Sequence, residues 1–173
     1  MLANKSIKVA IIAAVALLLQ VVLAPYIAIS SIVPDLAAVA MVLVAVVRAD
    51  RFGVIAPFVV GIFYDLLSGG PLGPMAFTLT LVSFLASRLF AALNNETPIM
   101  PLVIAAAALL LIEVIYAVFL AVLGYSGGFM GMLVYRALPV FLYDLVLAIV
   151  LYPLFRRLLY DAAPIQASIT RLR

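Results

Sequence analysis

The sequence predicts an all-α integral membrane protein with six transmembrane helices and both termini in the cytoplasm. Three observations carry this. Of 173 residues, 69% are hydrophobic and 10% charged, and the mean hydropathy is +1.40; a soluble domain of this size needs more charge on its water-facing surface. The apolar residues fall into six runs separated by charge, glycine, proline and asparagine, and a run of about 20 can span a bilayer. Basic residues occupy alternate connections between the runs, as membrane topology requires. One membrane domain over 1–173 is expected, because nothing outside the runs is long enough for a second core.

The first span is placed at 7–28. Lys5 and Lys8 precede it as in a signal peptide. The run is longer than a usual cleaved segment, however, and leads through "APYIAISSIVPD" into more apolar sequence, so it reads as a retained span. The second, 32–48, is short; Pro34 suits a first helical turn and Asp35 the positive end of a helix dipole. The third, 51–67, contains Pro57, where a kink is expected. The fourth is 74–92, ending in "NNETP", and the fifth is 98–123, ending in "GYSGG". The sixth is 130–156, and 157–173 is a short basic cytoplasmic tail that could lie along the membrane surface.

Charge orients these spans. Lys5 and Lys8, Arg48 and Arg51, Arg88, and Arg156, Arg157, Arg171 and Arg173 all fall on one side. The connections around "APYIAISS", "SGGPLG" and "GYSGGFMG" carry no lysine or arginine, and only Arg136 falls in the outer half. The net charge of +3 is thereby explained by topology, with no nucleic acid implied.

An ionisable group within a span costs about 2.5–3.5 kcal/mol on insertion scales, so each needs a partner or a role. Asp35 and Asp65 are expected near the outer boundary, and Arg136 about 9 Å below the start of the sixth span at 1.5 Å per residue. Arg136 is expected to pair with Asp65, Asp35 or both, tying three spans together. Glu113 and Asp144 lie at mid-depth, near Tyr116 and Tyr143. They suit either a hydrogen-bonded acid–tyrosine pair or an ion or ligand site. In "YDLLSGGPLG" the residues Gly69, Gly70, Pro71 and Gly73 predict a tight outer turn that closes after Asp65. Ala10 and Ala14, one turn apart, and Gly61 suit close helix approach.

Cysteine, histidine and tryptophan are absent. Disulfides, the commonest general base and the commonest transition-metal ligand go with them. No phosphate-binding loop, nucleophile elbow, zinc pattern or dinucleotide turn occurs. No cofactor, metal site or enzymatic activity is expected.

The run "GIFYDLLSGGPLG" (61–73), with Gly61 four residues before Asp65 and the Gly69, Gly70, Pro71, Gly73 turn after it, resembles the third-span signature of the rod shape-determining protein MreD family. "VPDL" (33–36), the length, the six spans and the basic tail after "YPLFRR" are similar to that family as well. The resemblance implies a scaffold in the bacterial inner membrane that works in cell elongation. Its implied partner is MreC, a single-span protein with a periplasmic coiled coil. Through it the scaffold would help couple a cytoplasmic actin-like filament to peptidoglycan synthases. The family is also similar in fold to the substrate-binding subunits of energy-coupling-factor vitamin transporters, whose first span docks partners through spaced alanines. The alternative expectation is therefore a small-molecule-binding subunit of a vitamin uptake transporter.

Overall fold

The computed structural model describes residues 2–29, 32–47, 52–93, 99–124 and 129–159. Among these there are six helical runs: α1 (Leu2–Val22), α2 (Leu36–Val47), α3 (Phe52–Ser68), α4 (Pro74–Ala92), α5 (Met100–Val122) and α6 (Phe129–Leu159). The helices α4, α5 and α6 are long and apolar enough to cross a membrane, and the other three are shorter apolar helices. This composition fits a membrane protein. Arg48, Arg51 and most of the basic tail, on which the expected orientation rests in part, lie outside the described residues.

The bounds differ from the sequence reading in three places. The first helix ends at Val22 and turns through residues 23–27, where a helix to 28 was expected. The second helix begins at Leu36 rather than 32; Ile29 and Ile32 form an isolated antiparallel bridge, and Pro34 precedes the helix instead of opening it. The sixth run extends from Phe129 to Leu159 and is not uniform. An α-helical turn, Phe129–Met132, passes into a π-helical turn, Leu133–Ala137, before the α-helix Leu138–Leu159.

The helix α2 is the hub. Its sequence, LAAVAMVLVAVV, has no polar face, and every residue from Leu36 to Val46 is buried. A helix that is apolar all round is stable only when it is enclosed. Twelve residues rise about 18 Å, against roughly 30 Å for a bilayer core. The other five helices all pack on α2, and in the order α1, α3, α4, α5, α6 each contacts the next. The two ends of that arc, α1 with the turn that follows it and α6, are linked by hydrogen bonds. Lys8 Nζ donates to the Leu158 carbonyl at 3.4 Å, and the Tyr143 hydroxyl donates to the Ile27 carbonyl at 2.8 Å. The outward faces are apolar, with Ile7, Ile11 and Leu18 exposed on α1 and Phe58, Ile62 and Leu66 on α3.

The helices α3 and α4 approach closely at Gly61. A Cβ built there would lie 2.4 Å from Ala76 Cα and 2.8 Å from Ala76 N, so any side chain must force two backbones apart. Gly61→Ala is expected to destabilise the purified protein by about 1–3 kcal/mol, the usual cost of overpacking. Gly70→Ala, whose added carbon meets only Ser68 Oγ at 3.5 Å, is expected to leave the thermal midpoint within a degree or two.

Candidate functional site

Several buried or half-buried polar side chains of the bundle meet the first amides of a helix. Asp65, on the last turn of α3, is buried, and both its oxygens accept backbone N–H groups. Oδ2 takes the amides of Gly73 at 2.9 Å and Ala76 at 3.1 Å, and Oδ1 takes that of Met75 at 3.1 Å. The first amides of a helix have no partner within it, and a carboxylate at that end also meets the helix dipole. Asp65 thus fastens the start of α4 to the end of α3. The turn between them needs its glycines: Gly69 has φ 65° and Gly73 φ 111°, conformations that side chains rarely adopt. Pro74 then occupies the first helical turn, where no amide is missed.

The start of α2 is held in the same way, from three directions. Asp35 precedes the helix and accepts the Ala38 amide on Oδ1 at 2.8 Å, a side-chain N-cap. Gln20 of α1 accepts the Ala37 amide on Oε1 and donates through Nε2 to the Pro34 carbonyl, each at 3.2 Å. Asp144 of α6 accepts the Asp35 amide on Oδ1 at 2.8 Å. Asp35 and Asp144 are both buried, 5% and 1% exposed, and this bond holds the start of α2 against α6.

Beside this knot is a cavity of about 330 Å³, lined by Asp35, Tyr64, Glu113, Tyr116, Tyr135 and Arg136 among others. Arg136 sits on the π-helical turn of α6, its guanidinium 5.1 Å from the centre of the Tyr116 ring. A π-turn adds a residue to one helical turn and re-aims the side chains on it. On the outer side of the α3–α4 pair lies a second, apolar concavity of about 510 Å³, walled by Phe58, Ile62, Leu66, Leu72 and Phe77 and floored by Gly73, Ala76 and Thr80.

Several expected pairings take a different form. Among the described residues no Asp65–Arg136 ion pair is seen; the Asp65 oxygens accept three backbone amides. Arg136 faces Asp35 and Glu113 across the cavity and stacks on Tyr116. Asp144 bonds the Asp35 amide, while Tyr143 turns to Ile27. Ala10 and Ala14 are both exposed on the outward face of α1 and take no part in packing among the described helices. At Gly61, α3 lies against the Ala76 backbone of α4. Sequence reasoning passed over Gln20, whose signal is a lone amide in an apolar run, and over Tyr64 and Tyr135, which carry no distinguishing pattern. The described residues contain no group of three or more acids that could hold a metal ion.

A protein-family model described as rod shape-determining protein MreD matches residues 4–161. No curated protein and no solved structure matches the chain.

The carboxylate contacts carry a direct expectation. Asp65→Ala removes the acceptor of three backbone amides, two of them buried and each of those worth about 1–3 kcal/mol when left unpaired, and should lower the thermal midpoint sharply. Arg136→Leu should change it little. Thermal unfolding of both variants in one detergent checks the order; a larger loss for Arg136→Leu would restore the ion-pair reading.

Proposed function

The chain belongs to the rod shape-determining protein MreD family, and from that premise we propose that it serves cell-shape determination as a non-enzymatic scaffold of the bacterial inner membrane. In this reading it is a six-span protein with both termini in the cytoplasm. It binds an MreC-like single-span coiled-coil protein and helps couple the actin-like filament to peptidoglycan synthases.

The observation that carries the partner reading is the apolar concavity beside the Asp65 corner. It lies between α3 and α4, on a part of the molecule that close packing at Gly61 and the Asp65 cap make rigid. Its aromatic and aliphatic walls suit a transmembrane helix laid against the bundle, since association in lipid relies on shape-matched packing. A rigid receptor surface loses little entropy on docking. The outward Ala10–Ala14 stripe of α1 is a second face of the same character.

Leu66 and Leu72 are 57% and 69% exposed on this groove, so they can be truncated without opening the core. A Leu66→Ala/Leu72→Ala variant is expected to recover several-fold less single-span partner on co-purification from native membranes, with an unchanged thermal midpoint. Val150→Ala, on the outward face of α6, is the control. Full recovery of the partner by the double variant would move the docking site elsewhere, with the α1 stripe tested next.

A second reading, the binding subunit of a vitamin uptake transporter, is favoured by the enclosed polar cavity. It requires ATPase subunits to co-purify in place of the single-span partner.

A further inference from the structure

The cavity under Arg136 is graded from mouth to floor. At the mouth Tyr135 is 83% exposed and Arg136 is exposed. At the floor Asp35 and Glu113 are 5% and 7% exposed, with the rings of Tyr64 and Tyr116 between the two levels. A cation therefore stands where a molecule would enter, and two carboxyl groups stand where it would stop. The Asp35 carboxyl is engaged with the Ala38 amide. Glu113 is different. It is more than nine-tenths buried and lines the cavity, and among the described residues no hydrogen-bond donor is seen on its carboxyl group. Its carboxyl group opens into the cavity, where a donor from a bound molecule can reach it.

We propose that the cavity binds a small zwitterion, amine first: a primary ammonium against Glu113 and Asp35, and an anionic phosphate or carboxylate against Arg136. Each end of such a molecule meets its complement. An ammonium can donate to the Glu113 carboxyl, and the tyrosine faces on the way in attract a cation. A guanidinium takes a phosphate or carboxylate through paired hydrogen bonds. A volume of about 330 Å³ lies at the small end of ligand pockets and suits a molecule with only a few bonds between its charges. The phosphoethanolamine group has this pattern, and it can arrive free or as the headgroup of a phospholipid. The π-helical turn contributes directly by setting the aim of Arg136 over the mouth. The inference goes beyond the scaffold reading and does not rest on it, because the cavity and the α3–α4 groove share no side chain.

The test uses the full chain, purified and reconstituted in nanodiscs of phosphatidylglycerol. Calorimetric titration with O-phosphoethanolamine is compared with ethanolamine and with inorganic phosphate. Retention of phosphatidylethanolamine over phosphatidylglycerol is read by native mass spectrometry. The wild type is expected to bind O-phosphoethanolamine more tightly than either fragment, or to retain phosphatidylethanolamine selectively. The first result assigns a free ligand and the second a lipid headgroup. Glu113→Gln should weaken binding at least tenfold and abolish the preference over inorganic phosphate. Arg136→Gln should do the same for the preference over ethanolamine. Should Glu113→Gln fail to fold, Arg136→Gln, at the exposed mouth, carries the test alone. Binding of neither probe by the wild type, or equal binding by Arg136→Gln, overturns the proposal.

Discussion

A helix that begins inside an apolar bundle must find partners for its first amides within the protein, and this constraint organises the molecule. In water those groups are solvated; in hydrocarbon each unpaired one costs several kcal/mol. Both α2 and α4 begin among buried residues, and both are met by carboxyl groups: α4 by Asp65, and α2 by Asp35 and Asp144 with help from Gln20. These acids link elements that are distant in sequence. Asp144 bonds a residue 109 positions away. The segments "FYDLL" (63–67) and "LYDLV" (142–146) are alike, and their aspartates, Asp65 and Asp144, each accept backbone amides where another helix begins.

The same constraint accounts for the cavity. Because α2 is short, the extended residues that precede it run at the depth of its neighbours, and irregular backbone is tolerated at that depth only where it is buried in protein or lines a cavity. Ile32 and Val33 do line it, beside Asp35. The π-helical turn of α6 faces the same space and points Arg136 across it. On the other side of α3, the fixed α3–α4 corner presents its apolar groove outward. One set of buried contacts thus leaves two surfaces available, a polar one enclosed in the bundle and an apolar one turned outward.

Six helical runs were legible because apolar length and punctuation by glycine, proline and charge are local signals. The α3–α4 turn was legible for the same reason, with Gly69 and Gly73 at positive φ and Pro74 opening α4. The shortness of the second run was visible too, but its complete enclosure was not read from it. Side-chain partnership was the part that could not be read. Charge complementarity suggested Arg136 for Asp65, but backbone amides are invisible as charges in a sequence and they were the stronger competitors. The π-turn that re-aims Arg136 has no sequence signature, and whether Ala10 and Ala14 face inward or outward depends on how α1 is rotated in the bundle.

Hydrogen–deuterium exchange of the wild-type and Asp65→Ala proteins, followed at the amides of Gly73, Met75 and Ala76, tests the capping account most directly. The account requires these amides to exchange slowly in the wild type, as slowly as mid-helix positions of α4, and to accelerate selectively when Asp65 is removed. Fast exchange in the wild type, or rates that Asp65→Ala leaves unchanged, would mean that the carboxylate does not hold the start of α4.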